Sequence, residues 1–258
     1  MEETGKNPIQ VAERLFQVIE RLAENGPMGI MDLSAELGFH KSTTHRLVTS
    51  LQYMGYIRQD EESLKYALSL KFLEIGSKIL EQTNMASLIH PSLKKLSEQT
   101  GETVHLVRRE GTEAVYIDKV ESTVSSIRMV SRVGSRIPLY CSGVGKALLA
   151  ELPDPEIEDI WNSSEITSLT PYTVTSLSDL MDRIRGVREA GYAMDDEENE
   201  EGVRCIAVSI PDYHKEPVYA LSISAPVSRM TDARIAELSP DVLTFKKDLE
   251  KTLGFSRS

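Results

Sequence analysis

Basic and hydroxyl side chains are concentrated in one short stretch, "KSTTHRLVT" at residues 41–49, of a chain that is acidic as a whole. The formal net charge of the 258 residues is -11, yet no Asp or Glu occurs between Glu36 and Asp60. Hydroxyl and basic groups can donate hydrogen bonds to phosphate oxygens, and Arg can also pair with guanine. We therefore predict contact with nucleic acid through Lys41, Ser42, Thr43, Thr44, His45, Arg46, Thr49 and Arg58. The alternative is an exposed helix with no ligand.

A second stretch, "YCSGVGKALLA" at residues 140–150, has small residues immediately before a predicted helix. Backbone N–H groups at such a helix start can hold a small anion such as a carboxylate. A plain turn with an N-cap is the alternative. A nucleotide-binding P-loop is excluded, because Tyr140 stands in place of its first glycine and Ala147 follows the lysine where Ser or Thr is needed.

Residues 195–201 are acidic except for Asn199. Such a charge run is typical of a solvated loop, and we interpret Glu197, Glu198, Glu200 and Glu201 in this way. In the stretch "YALSISAPV" at residues 219–227, Ser222 and Ser224 alternate with apolar residues, so both lie on one face of a strand. On a buried face they would need hydrogen-bond partners, whereas at a solvated face they would not.

Composition indicates a globular protein, with 40% apolar and 27% charged residues. No apolar run is long enough to span a membrane, and the acidic start "MEETGKNPIQ" does not resemble a secretory signal, so we expect a cytoplasmic protein. The two cysteines, Cys141 and Cys205, predict neither a disulfide framework nor a zinc site. No metal or cofactor is expected.

Apolar spacing predicts helices at residues 10–23, 31–37 and 41–54, with Gly38 between the second and third. A hairpin follows around residues 60–63. Two helices joined by a glycine-containing turn, with a third helix and a hairpin, make a winged helix-turn-helix over residues 1–68. A connecting helix is predicted over 69–84, with an apolar stripe wide enough to pack on a partner.

After a helix that ends at Gly101, the sequence predicts three strands in "ETVHLVRREG", "EAVYIDKVE" and "SIRMVSRVG". Helices are predicted at 143–151, 156–162 and 177–190, then strands in "CIAVSI" and "VYALSISAPV" and a helix over 231–253. Locally paired strands with helices outside indicate an α+β domain over residues 85–258.

Three motifs resemble one protein family. "HKSTTHRLVTSLQYMGYI" is similar to the recognition helix and wing of IclR-type transcription regulators. "YCSGVGKALLA" and "GYAMDDEENEEGVRCIAVSI" are similar to two motifs in the body of these proteins. The resemblance implies an N-terminal winged helix-turn-helix, a dimerising connecting helix and a C-terminal GAF-like effector-binding domain, assembled as a homodimer or a tetramer made of two dimers.

The resemblance also implies which residues face the effector. Backbone N–H groups would come from Gly143 and Val144, and polar contacts from Asp195, Cys205, Ser222 and Ser224. Met129, Ile137 and Val203 would form the apolar wall.

The function that follows is a sequence-specific regulator of transcription, expected to repress a catabolic operon by binding double-stranded operator DNA. A small organic acid, such as a sugar acid, a short keto acid or an aromatic acid, would control it. An enzyme using Cys205 with His105 or His214 is disfavoured, because no nucleophile motif surrounds the thiol. A helix-binding interaction module is disfavoured by the polar face of residues 42–49.

Overall fold

The structure, a computed structural model, describes residues 8–82, 85–122, 130–212 and 214–253, without the side chains of residues 77 and 79–82. The chain divides into two compact units, Met1–Thr83 and Asn84–Ser258. The domain limits expected from the sequence, 1–68, 69–84 and 85–258, stay a prediction.

The N-terminal unit consists of helices and one hairpin. In chain order they are α1 (Gln10–Asn25), α2 (Ile30–Leu37), α3 (Lys41–Tyr53), β1 (Ile57–Gln59), β2 (Tyr66–Leu68) and α4 (Lys71–Gln82). Gly38 ends α2 in the left-handed conformation, with a φ of 65°, so the chain turns directly into α3. The core under this turn is apolar and includes Val18, Leu33, Val48 and Leu51. This arrangement confirms the predicted helix-turn-helix.

The C-terminal unit alternates strands and helices. Its elements are α5 (Met85–Thr100), β3 (Thr103–Glu110), β4 (Glu113–Val120), β5 (Arg136–Pro138), α6 (Gly143–Leu149), α7 (Asp154–Asn162), α8 (Leu177–Ala190), β6 (Ala193–Asp196), β7 (Val203–Ile210), β8 (Tyr219–Pro226) and α9 (Asp232–Thr252). The strands form one sheet in the order β5-β4-β3-β8-β7-β6, and every neighbouring pair is antiparallel. The α+β class is confirmed.

Helices cover both faces of this sheet. Leu221 and Ile223 of β8 belong to the apolar cluster that includes residues of α5 and α9. Ala220 of the same strand and Ala207 of β7 belong to the cluster that includes residues of α6, α7 and α8. Because side chains alternate along a strand, Ser222 and Ser224 point to the side on which α6 lies.

The third predicted strand, "SIRMVSRVG" over residues 126–134, is not found at that place. Residues 126–129 lie outside the described part of the chain. Residues 132–135 form a turn in which Ser135 N–H donates to the Arg132 carbonyl at 3.0 Å and Gly134 has a φ of 89°. The strand is instead β5, which begins only at Arg136.

Strand β6 was not expected from the sequence. It follows the left-handed Gly191 that ends α8, and it pairs with β7 through Asp195↔Cys205 and Ala193↔Ala207. Two of its four residues are aspartates, which are uncommon in strands, so the sequence did not predict it. The strand is recognised only from its pairing with β7.

Candidate functional site

The outer face of α3 is polar and exposed. Lys41, Ser42, His45, Arg46 and Thr49 are exposed, Thr43 is half-buried, and Arg58 is exposed on β1. The side chain of the N-cap residue His40 does not cap α3, so N–H groups in the first turn stay open to a phosphate.

One of the residues predicted to touch DNA does not lie on that face. Thr44 is fully buried and shares the inner side of α3 with Leu47, Val48 and Leu51. The spacing 44, 47, 48, 51 is that of a single helical stripe, so the Thr44 hydroxyl faces the core. The prediction that Thr44 contacts DNA is therefore wrong.

In the C-terminal unit, two neighbouring rungs of the sheet bring polar residues together. Asp195 pairs with Cys205, Cys205 pairs with Ser224, and Ser224 pairs with Thr103. On the next rung of the same face, Ser222 pairs with His105. Directly paired residues in antiparallel strands point to the same side, so these side chains form one polar patch. All of them are buried.

His105 supplies the hydrogen-bond partner that the two serines need on a buried face. Its Nδ1 lies 3.3 Å from Ser224 Oγ and 3.5 Å from Ser222 Oγ, and its Nε2 lies 2.7 Å from Ser131 Oγ. The Tyr116 ring packs edge-on at 5.1 Å from the imidazole. Burial, assisted by the nearby Lys119, lowers the pKa of His105 to about 3, so the ring is neutral.

The sequence interpretation did not include His105 or Tyr116 in the site. A signal was present in "ETVHLVRREG", where a histidine stands at a position that should be buried. A lone histidine in a strand is uninformative until the β3–β8 register places it opposite Ser222.

The start of α6 lies against the polar patch. A Cβ atom on Gly143 would come within 2.8 Å of Cys205 Sγ and 3.3 Å of the Asp195 nitrogen. The N-cap expected as the plainer alternative is present, because Ser142 Oγ accepts a hydrogen bond from Gly145 N–H at 3.1 Å. The N–H of Gly145 is therefore occupied, and that of Gly143 is directed at the Cys205 sulfur. A ligand bound to Gly143 N–H would take the place of this thiol contact.

Asp195 is buried and its carboxyl group is held by its own turn. Its Oδ1 accepts hydrogen bonds from the backbone N–H groups of Glu198 at 2.8 Å and Asn199 at 3.3 Å. Burial raises the pKa of Asp195 to about 7, while the nearby Lys146 opposes the rise.

Glu198 corrects our interpretation of the acidic run. It is 2% exposed rather than solvated, and its carboxylate pairs with Lys146, which is 1% exposed. Glu200 and Glu201 are exposed and Glu197 is half-buried. A buried carboxylate requires a partner, and this one is 52 positions away in sequence, where local pattern gives no sign of it.

The apolar wall is described only in part. Ile137 is buried in the cluster beneath α6, and Val203 is half-buried at the start of β7 on the same face as Cys205. Met129 lies outside the described residues.

Neither cysteine has the properties of a nucleophile. Burial raises the pKa of Cys141 to about 12 and raises that of Cys205 as well, so both thiols stay protonated. Among the described residues there is no cluster of three or more His, Cys, Asp or Glu that could hold a metal ion. No described helix is long and apolar enough to cross a membrane.

Comparison with known proteins shows similarity along nearly the whole chain. The family model for the bacterial transcriptional regulator IclR C-terminal domain matches residues 77–250, and the IclR helix-turn-helix domain matches residues 11–61. The acetate operon repressor of Salmonella typhimurium strain LT2 is 36% identical, covering 96% of this chain and 92% of that protein. The transcriptional repressor IclR of Escherichia coli strain K12 is 35% identical over the same shares.

Solved structures show the same relationship. The crystal structure of Thermotoga maritima IclR is 31% identical with a TM-score of 0.63, covering 95% of this chain and 99% of that chain. The repressor BlcR of Agobacterium tumefaciens is 25% identical with a TM-score of 0.78, covering 98% and 100%. The relatives are regulators of transcription and not enzymes. The chain belongs to the IclR family of DNA-binding transcriptional regulators.

Proposed function

We propose that this protein is a cytoplasmic repressor of a catabolic operon, and that a small organic acid bound in the C-terminal unit controls its affinity for operator DNA. The observation that supports effector binding is the buried polar patch of Asp195, Cys205, Ser222, Ser224 and His105 beside the start of α6. Apolar surroundings with a few convergent polar groups are the usual form of a small-molecule site. One relative is named for control of an acetate operon, which supports a catabolic target.

The polar patch favours an effector that carries a carboxylate at one end and hydroxyl or keto groups at the other. A carboxylate would accept hydrogen bonds from the N–H groups of Gly143 and Val144, and the hydroxyl or keto oxygens of a sugar acid or short keto acid would meet Ser222, Ser224 and His105. An aromatic ring would offer these polar groups no hydrogen bonds beyond those that Ser222, Ser224 and His105 already make with one another, so it would gain less from the polar patch.

DNA binding through α3 requires more than one copy of the N-terminal unit. The positive charge available to phosphate is small, since it comes from Lys41, Arg46 and Arg58, so a single unit binds DNA weakly. Two linked units bind more tightly, because the first contact raises the effective concentration of the second unit at the DNA. The apolar side chains of Leu70, Leu73 and Ile75 at α4 are 80%, 68% and 38% exposed. We propose that they are covered in a homodimer, or in a tetramer made of two dimers.

The test is footprinting of the full-length protein on DNA upstream of its own gene, at two salt concentrations, with pyruvate, gluconate or 4-hydroxybenzoate. We expect a nearly palindromic protected site that weakens with salt and changes with one of these acids. No protection would contradict the proposal for DNA, and protection that no acid alters would contradict the effector class.

Replacing Ser224 with alanine should weaken binding of the active acid about 2- to 10-fold, because a hydrogen bond to a neutral hydroxyl or keto oxygen contributes ~0.5–1.5 kcal/mol. Isothermal titration calorimetry measures the change. The matched control is Ser239→Ala on α9, whose helix covers the opposite face of the sheet. Equal affinities for the two variants would remove Ser224 from the site.

Replacing Thr44 with valine should leave operator affinity within about twofold, because the buried hydroxyl makes only a 3.4 Å contact with the His40 carbonyl. The matched variant Thr49→Val removes an exposed hydroxyl and should weaken binding about fivefold, the value of a hydrogen bond of ~1 kcal/mol. Fluorescence anisotropy with the protected fragment distinguishes the two. A larger loss for Thr44→Val with intact folding would show that α3 presents a different face to DNA.

A further inference from the structure

A buried ion pair joins the helix that begins at the effector site to the turn that carries Asp195. Lys146 Nζ contacts Glu198 Oε1, and the two side chains are 2% and 3% exposed. Lys146 lies three positions after Gly143 in α6, on the same side of the helix. The pair therefore connects the two polar walls of the site.

The backbone conformation of the turn after Asp195 depends on side-chain contacts with residues outside the turn. Glu197 has a φ of 60°, a left-handed conformation that is unfavourable for a residue with a Cβ atom. The Glu198 carbonyl accepts hydrogen bonds from the hydroxyls of Thr173 at 2.6 Å and Thr170 at 3.4 Å. Because the backbone of the turn is strained, these contacts and the ion pair must hold it in place.

Two acids share this buried turn with a single lysine. Glu198 Oε2 is buried and has no hydrogen-bond partner among the described residues, so the charge of that carboxylate is balanced chiefly by Lys146. Asp195 Oδ1 already accepts two N–H groups, so we assign the contact with a ligand to the other oxygen, Oδ2. An anionic effector beside Asp195 would be repelled by a second negative charge, but a neutral carboxyl group there could donate a hydrogen bond.

We propose that the Lys146–Glu198 pair positions the Asp195 carboxyl group beside the start of α6 and keeps it able to donate a hydrogen bond to an anionic effector. The inference rests on the effector site proposed above. It makes Lys146 and Glu198 positioning residues, which act through Asp195 and do not touch the effector.

The charges of the pair act on Asp195 in opposite directions. Burial raises the pKa of Asp195 to about 7 with both charges present; the charge of Lys146 opposes that rise, and the charge of Glu198 adds to it. The groups that face Asp195 come from several elements, namely Lys146 of α6, Glu198 of its own turn, Cys205 of β7, Cys141 before α6 and Tyr116 of β4. Only Lys146 is a cation in this set, so its removal and the removal of the Glu198 charge have opposite consequences.

The first test needs no effector. In full-length protein, the backbone amides at positions 198 and 199 donate to Asp195 Oδ1, so their NMR chemical shifts report its titration. Glu198→Gln keeps the side-chain shape and should move the midpoint down by about one pH unit, and Lys146→Met should move it up by a similar amount. Midpoints that stay unchanged, or that move in the same direction, overturn the proposal. If Lys146→Met does not fold, Glu198→Gln decides alone.

The second test measures acid binding by calorimetry between pH 5.5 and 8. With a midpoint lowered by about one unit from about 7, roughly a tenth of Asp195 instead of about half is protonated at pH 7. Glu198→Gln should therefore bind the active acid about fivefold more weakly at pH 7 and regain native affinity near pH 5.5. Lys246→Met, which removes a lysine paired with Glu151 in the same unit, is the matched control and should match the native protein at both pH values.

The outcomes separate the two proposals. Native acid affinity at pH 7 in Glu198→Gln overturns the positioning role and leaves the effector site intact. If none of pyruvate, gluconate and 4-hydroxybenzoate binds the native protein, the effector class fails, and the NMR midpoints still decide whether the pair controls Asp195.

Discussion

Gly145→Ala is expected to destabilise the C-terminal unit by about 3 kcal/mol or more, because overpacking against backbone cannot be relieved by a rotamer change. A Cβ atom at this position would overlap the carbonyl oxygen, Cα and carbonyl carbon of Leu139. Leu139 is itself fully buried beneath α6, so neither backbone segment can move away without disturbing the core. Gly145 is thus required for close packing of α6.

Urea unfolding followed by fluorescence of Trp161, the one tryptophan of the chain, measures this change. Trp161 packs against the same apolar cluster and meets the Tyr140 ring edge-on at 6.0 Å. The matched control is Gly186→Ala in the exposed middle of α8, where an added Cβ meets nothing within 4 Å. That change should stabilise the helix by about 0.5–1 kcal/mol. Equal stability of the two variants would contradict the described approach of α6 to Leu139.

Arg46→Ala should reduce operator affinity by about 10- to 100-fold for each DNA-binding unit, since an arginine contact with base or phosphate contributes ~1–3 kcal/mol. In the proposed homodimer both units carry the change, so the combined loss is about 10²- to 10⁴-fold. Arg46 is exposed on the outer face of α3, in the part of the chain that has no acidic residues.

Fluorescence anisotropy at several salt concentrations measures the loss and also classifies it. A base contact would relax sequence preference, whereas a phosphate contact would lower the slope of affinity against salt by about one unit. Arg21→Ala is the matched control, because Arg21 already pairs with Glu24 and Glu36. An unchanged affinity in Arg46→Ala, or an equal loss in Arg21→Ala, would show that α3 does not read the DNA.

The helices that position the DNA-binding residues could be predicted from the sequence because their signals are local. Apolar residues at helical spacing, with Gly38 between two such runs, define α2 and α3 without reference to the rest of the chain. Thr44 shows the limit of this reasoning, since a small hydroxyl residue is compatible with either face of a helix.

The effector site could be predicted only through resemblance, because its parts meet by strand pairing and by contacts between distant residues. The pairing of β3 with β8 brings His105 to Ser222, 117 positions later in the chain. The pairing of β6 with β7 shows that Asp195 lies within a strand and Glu198 just beyond it. Charge density in residues 195–201 indicated solvent exposure, and only the distant Lys146 explains why Glu198 is buried.

The strand order of the sheet also bears on the solubility of the chain. The outermost strands, β5 and β6, are three and four residues long, whereas the four strands between them have eight residues each. Short outer strands leave few backbone groups unpaired, and the charged side chains of Arg136 and Asp196 further disfavour the addition of another strand. Edge-to-edge pairing of two such sheets is therefore disfavoured.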